Sequence, residues 1–89
     1  MGQDSQGVRV LIGGHEHLFV DLLGKALNRY DTLHVVGTYC HGRELIEQAL
    51  LFKPQVMLLQ PHLIGEPNGL QVAQELRGQV ADLRIIFLL

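Results

Sequence analysis

The chain has 89 residues, 47% of them hydrophobic, and this length fits one small globular domain. Seven Lys and Arg against nine Asp and Glu residues give a net charge of −2 without any basic run, which disfavours direct binding to nucleic acid. A single cysteine excludes an internal disulfide, no apolar run approaches the roughly 20 residues of a membrane span, and the amino terminus lacks a signal-peptide pattern, so we expect a cytoplasmic protein without membrane association.

The hydrophobic pattern predicts strands that alternate with helices. Residues 1–7 are polar and contain glycine, which predicts a flexible N-terminal segment before a domain that covers residues 8–89. Short runs of apolar and β-branched residues are typical of strands buried in a parallel sheet. Such runs lie at residues 8–12, 33–39, 56–59 and 84–89.

Between these strands, apolar residues that recur every three or four positions predict three amphipathic helices. The first begins at Leu18 and ends near Asn28, the second ends at Lys53-Pro54, and the third runs from Leu70 to near Gly78. The order βαβαβαβ predicts an α/β fold, in which a parallel sheet of four strands carries helices on both faces.

Seven segments of the chain have the order and spacing of one known family. They are residues 8–12, 18–19, 35–37, 42, 53–59, 68–70 and 84–88. Together they resemble the response-regulator receiver domain, in particular its NarL/FixJ-type branch. The resemblance implies a CheY-like, flavodoxin-like fold over residues 8–89 that stops after the fourth strand.

The same resemblance implies a phosphoryl-transfer site whose acidic residues are replaced. In the family, an aspartate after the third strand accepts the phosphoryl group, and an acidic pair after the first strand helps to hold Mg²⁺. The acceptor position is Gln60 here, and the acidic-pair positions are Gly14 and His15. The neutral amide of Gln60 cannot act as the nucleophile. The resemblance therefore implies a degenerate, truncated pseudo-receiver that is not an enzyme, with no catalytic residue, cofactor or metal.

The sequence also predicts self-association, because a sheet that stops after its fourth strand leaves an uncovered apolar edge. Burial of one large aliphatic side chain is worth about 1.5–3 kcal/mol. We therefore predict a homodimer or higher oligomer, with strand exchange as one form, and a regulatory protein as a further partner. The alternative is a fragment of a longer chain whose missing part completes the fold. The predicted interface comprises Phe19, Leu22, Ile85, Ile86, Phe87, Leu88 and Leu89.

Polar side chains that follow the first three strands form a second candidate site. The carboxyl ends of parallel strands meet at one edge, so we expect His15, Glu16, His17, Cys40, His41 and His62 in one region. Imidazole and carboxylate groups suit zinc, so a metal or small-molecule sensor lined by Glu16, His17, His41 and His62 is the alternative function. No spacing matches a zinc motif. The sequence favours a non-catalytic, phosphorylation-independent interaction module.

Overall fold

The computed structural model describes residues 7–89, so the predicted flexible segment, apart from Gly7, lies outside the described residues. The elements alternate as the sequence predicts. The strands are β1 (Val8–Gly13), β2 (Leu33–Tyr39), β3 (Val56–Leu59) and β4 (Arg84–Phe87), and the helices are α1 (His17–Leu27), α2 (Gly42–Phe52) and α3 (Gly69–Leu76). None of these helices is long and apolar enough to cross a membrane.

The strands form one parallel sheet in the order β2-β1-β3-β4. The predicted four-stranded α/β fold is therefore confirmed. β1 pairs with a strand on each side, and its residues from Val10 onward are buried. β4 pairs with β3 alone and is two residues shorter than predicted, because β3 ends at Leu59, the partner of Phe87.

Two separate cores lie on the two faces of the sheet, because successive side chains of a strand point to opposite faces. Neighbouring residues of β1 thus belong to different cores. The core beneath α2 and α3 contains Leu11, Leu45, Ala49, Met57, Leu59, Val72, Leu76 and Val80. The core beneath α1 contains Val10, Ile12, Val20 and Cys40.

The apolar stripe predicted for α1 lies only partly in the core. Of the predicted stripe residues, Leu23 and Leu27 are half-buried, whereas Leu18 is 71% exposed and Leu22 is 56% exposed. The buried apolar residue of α1 is Val20, which the predicted stripe did not include. α1 is the one described helix on its face of the sheet, so only the side that faces the strands is covered. The side that carries Leu18 and Leu22 remains an exposed apolar surface.

Candidate functional site

The carboxyl ends of β1 and β3 meet at the edge where the sequence predicts the degenerate phosphorylation site. Gln60 follows directly after β3, and its backbone N–H donates to the carbonyl of Gly13 at 2.9 Å. Gly14 follows β1, and its N–H donates to the carbonyl of Tyr39 at 3.1 Å. Backbone hydrogen bonds that continue the sheet thus fix both positions.

The side chain of Gln60 joins the two loops. Its Oε1 accepts a hydrogen bond from the backbone N–H of His15 at 3.1 Å, and we call this contact the amide bridge. Gly14 is buried beneath it. A Cβ atom on Gly14 would overlap Gln60 Oε1 and would lie 2.8 Å from Val20 Cγ1. An acidic side chain at position 14 is therefore incompatible with Gln60 in this conformation, and the site holds a neutral, hydrogen-bonded unit.

The loop between β3 and α3 folds back over the end of β2. The N–H of Ile64 donates to the carbonyl of Cys40 at 2.9 Å, and Ile64 forms an isolated parallel bridge with His41. Gly42 faces this loop, where a Cβ atom would overlap the carbonyl oxygen of Pro67. Close packing at Gly42 therefore holds the loop against the start of α2.

A capping box ends this loop and starts α3. Asn68 Oδ1 accepts the backbone N–H of Gln71 at 2.9 Å, and Gln71 Oε1 accepts the backbone N–H of Asn68 at 2.8 Å. Reciprocal bonds of this kind satisfy two backbone donors that a helix terminus otherwise leaves without partners. The position of the loop is thus set at both of its ends.

The predicted pocket residues lie along this edge and are exposed to solvent. Glu16 is the N-cap residue of α1 but makes no side-chain capping hydrogen bond, and His17 and His62 are also exposed. His41 Nδ1 lies 3.7 Å from Glu44 Oε1 at the start of α2. In the part of the chain that the structure describes, no three His, Cys, Asp or Glu side chains are grouped so as to hold a metal ion. The described residues therefore form no metal-ligand cluster at this edge, and the small-molecule or metal sensor stays a prediction.

Cys40 lies beneath this edge and is buried. Burial raises the pKa of its thiol, and the negative charges of Asp21 and Glu44 raise it further. A raised pKa disfavours the thiolate, which is the form that attacks electrophiles and binds metals. Cys40 instead packs with the apolar side chains of Val10, Ile12 and Val20.

The predicted interface includes the open edge of the sheet. The backbone N–H of Arg84 donates to the carbonyl of Gln55, just before β3, at 3.0 Å, and that of Leu88 donates to Leu59 at the end of β3 at 2.8 Å. Because a parallel ladder uses alternate residues of a strand, the N–H groups of Ile85 and Phe87 point away from β3. Ile86 is 51% exposed, and Phe19 and Leu22 of α1 are also exposed. The structure thus leaves both predicted surfaces accessible within the described chain.

The chain is similar to several solved receiver structures. It matches the signal receiver domain of the response regulator NarL from Mycobacterium tuberculosis at 29% identity and a TM-score of 0.82, over 92% of this chain and 65% of that one. The response regulator domain of Thermotoga maritima CheB matches at 23% identity and 0.82, over 91% and 59%. The receiver domain of a modulated diguanylate cyclase from Desulfovibrio desulfuricans matches at 27% identity and 0.80, over 91% and 63%. No family model and no curated protein matches.

The chain has the fold of a receiver domain. The resemblance predicted from the sequence motifs is thereby confirmed. The receiver fold of this chain spans less than two thirds of the length of each of these three structures.

Sequence reasoning missed the amide bridge within this receiver fold. It identified Gln60, Gly14 and His15 as replaced positions but did not predict that they contact one another. The sequence does contain one signal for this contact. A long amide side chain follows β3 and a glycine follows β1, and the glycine leaves room for the amide between the two loops.

Proposed function

We propose that the chain is a regulatory protein-interaction module of receiver fold that is non-catalytic, works without phosphorylation and acts as a homo-oligomer. The amide bridge between Gln60 and His15 carries the first part of this proposal. Acceptance of a phosphoryl group requires a nucleophile, and Mg²⁺ requires oxygen ligands that balance its charge. The amide of Gln60 provides neither the nucleophile nor the charge.

The fit around Gly14 supports a fixed conformation of the site. Gln60 Oε1 accepts a hydrogen bond directly from the backbone of the β1 loop, and the space beside Gly14 is filled by this side chain. Ligand-driven switching requires a ligand that binds two conformations with different affinity. The amide bridge already pairs Gln60 with the backbone N–H of His15, the positions through which a phosphoryl group would act. We therefore expect the module to present the same interaction surface at all times.

The open edge of β4 and the exposed side of α1 support self-association. Edge strands with unpaired backbone groups pair with other chains unless charge, proline or another element covers them. β4 carries exposed Ile86 at its centre, and α1 carries exposed Leu18 and Leu22. A second copy of this chain brings matching apolar surfaces, so we expect reversible assembly of several copies.

Intact-mass spectrometry tests independence from phosphorylation. The chain is incubated with acetyl phosphate and Mg²⁺, beside a receiver domain that carries an acceptor aspartate as the positive control. We expect the control to gain one phosphoryl group and this chain to gain none. A phosphorylated form of this chain would overturn this part of the proposal.

Sedimentation velocity over a wide range of protein concentration tests self-association. We expect the sedimentation coefficient of the parent chain to rise with concentration. At the same concentrations, the Ile86→Lys variant should have a lower sedimentation coefficient, because a charge on an edge strand opposes pairing. Leu51→Lys is the matched control, since Leu51 is an exposed leucine of α2, away from both predicted surfaces. A parent chain that stays monomeric at every concentration would overturn the proposal that the chain acts as a homo-oligomer.

A further inference from the structure

Leu22 of α1 points away from the sheet on which α1 packs. The buried residues of this helix are Val20 and Gly24, and Leu22 lies two positions from each of them. Helical residues two positions apart point about 160° away from each other, so Leu22 faces outward and is 56% exposed. Leu18, one turn earlier, lies on the same side and is 71% exposed. A helix that is apolar on opposite sides is typical of a helix enclosed between two layers.

A second apolar surface lies beside α1 on the same face of the sheet. α1 is held over β2, because Asp21 Oδ1 accepts a hydrogen bond from the hydroxyl of Thr38 at 2.9 Å. Ile86 pairs with Leu58, which packs against the core beneath α1, so Ile86 points to this face as well. No helix of the described chain covers β3 and β4 here, and Ile86 is 51% exposed. We call this surface, formed by Val56, Leu58 and Ile86, the open half-face.

The open half-face has the width of one helix. Neighbouring strands lie about 4.8 Å apart, so β3 and β4 together span about 10 Å, the diameter of a helix with its side chains. A further helix beside α1 would fill the open half-face but would leave Leu18 and Leu22 uncovered, because both leucines point out of that layer. A second sheet that carries its own helix covers both surfaces at once, and a second copy of this chain supplies that combination.

We propose that two copies pack face to face, so that α1 of each copy lies on the open half-face of the other. This inference rests on the proposed self-association and assigns it to this face of the sheet. A two-fold axis parallel to the strands, between the two sheets, generates the arrangement. It places the two α1 helices side by side in one layer, each enclosed by its own sheet and by the partner's sheet. Such a contact uses the same surface of both copies and closes at a dimer.

The level of Leu22 along the strands agrees with this axis. A Cβ atom on Gly24 would lie 3.9 Å from Ile12 Cδ1, and Leu22 lies about 3 Å further along the helix axis. Through β3, Ile12 is in register with Ile86 of β4. Rotation about an axis parallel to the strands preserves this level, so Leu22 of one copy meets Ile86 of the other. Arg84 points to the same face at the start of β4, where its long side chain extends past the contact to solvent.

The exposed apolar area suits a reversible dimer. At about 200 Å² for a large side chain, the exposed parts of four residues amount to about 400 Å² in each copy. These residues are Leu18, Phe19, Leu22 and Ile86. Two copies therefore bring together about 800 Å², to which the half-buried residues of the open half-face add, whereas stable interfaces bury about 1,200–2,000 Å². We expect a dimer that dissociates on dilution.

A charge at Leu22 tests whether this face carries the association. Leu22→Asp places a carboxylate against the partner's sheet and is expected to weaken dimerisation about tenfold or more in sedimentation velocity. Leu51→Asp, at an exposed leucine of α2 on the other face of the sheet, is the matched control and leaves dimerisation unchanged. Circular dichroism confirms that each variant is folded.

Disulfide cross-linking tests which residues meet. In a Cys40→Ala background, Leu22→Cys is combined with Ile86→Cys, and the folded protein is oxidised and analysed on a non-reducing gel. We expect a cross-linked dimer and no larger species, because both disulfides close within one pair of copies. Leu22→Cys combined with Ile85→Cys is the matched control, since Ile85 packs against the core on the opposite face. We expect this control to remain without cross-links.

Three results would overturn the face-to-face contact. Association that Leu22→Asp does not weaken, or that gives no cross-link between positions 22 and 86, would leave the proposed self-association in place and assign it to another surface, such as the β4 edge. A ladder of cross-linked species larger than a dimer would show a contact between two different surfaces instead of a two-fold one. A parent chain that is monomeric at every concentration would overturn the proposed self-association as well.

Discussion

Gln60 Oε1 lies 3.1 Å from the backbone nitrogen of His15 and bridges the ends of β3 and β1. We expect Gln60→Ala to lower the free energy of unfolding by about 1–2 kcal/mol, because the His15 N–H loses its partner and the half-buried side chain leaves a gap. Urea unfolding followed by circular dichroism measures this change. Gln48→Ala is the matched control, since no side-chain hydrogen bond of Gln48 is formed in the described structure. Equal losses for both variants would contradict the prediction.

Gly14 and Gln60 are predicted to be energetically coupled. Gly14→Ala should destabilise the parent chain by about 1–3 kcal/mol, because its Cβ overlaps Gln60 Oε1 and crowds Val20. The loss should be smaller in the Gln60→Ala background, where one of the two overlaps is removed. A double-mutant cycle from urea unfolding measures the coupling, and additive effects would show that the two side chains do not compete for space.

Cys40 should make stability fall at alkaline pH. Its pKa is raised in the folded chain by burial and by Asp21 and Glu44, so the unfolded chain loses this proton at a lower pH than the folded chain. The contribution is therefore fully present below the ordinary thiol pKa and decreases as the pH rises above it.

Urea unfolding at a series of pH values, with Cys40→Ala for comparison, isolates this contribution from other groups that titrate in the same range. We expect the difference in stability between parent and variant to shrink as the pH rises. A difference that does not change with pH would contradict the prediction.

Asn68 should stabilise the start of α3 through the capping box. Asn68→Ala is expected to cost about 1 kcal/mol, because the N–H of Gln71 loses its acceptor and the reciprocal bond loses its geometry. Asn68→Asp retains an acceptor at the N-cap and serves as the control. Thermal unfolding measures both variants, and similar midpoints for the alanine and aspartate variants would count against the prediction.

Local patterns in the sequence predicted most of the fold. The bounds of β2 and β3 agree to the residue, because dense runs of β-branched and apolar residues mark both strands. The receiver resemblance followed from the order of those runs. Periodicity did not identify which apolar residues of α1 meet the sheet. The predicted stripe included Leu18 and omitted Val20, whereas Val20 is buried and Leu18 lies on the opposite, exposed side of the helix.

The candidate site was predicted only as a set of positions. Gln60 and His15 are separated by 45 residues, and no local pattern reports a hydrogen bond between a side chain and so distant a backbone group. A groove of about 480 Å³ between α3 and β4 was missed for a similar reason. Its α3 stripe is visible in the sequence, but its other side comes from β4 and becomes apparent only when the sheet is assembled.

The strand order has a consequence for the rates at which the sheet opens. β1 is held by ladders on both sides, whereas β4 is held by one ladder of four residue pairs. Amide hydrogens in β1 should therefore exchange most slowly and those in β4 much sooner. Brief detachment of β4 would uncover the edge of β3, which would then accept the β4 of a neighbouring copy at a rate set by this local opening.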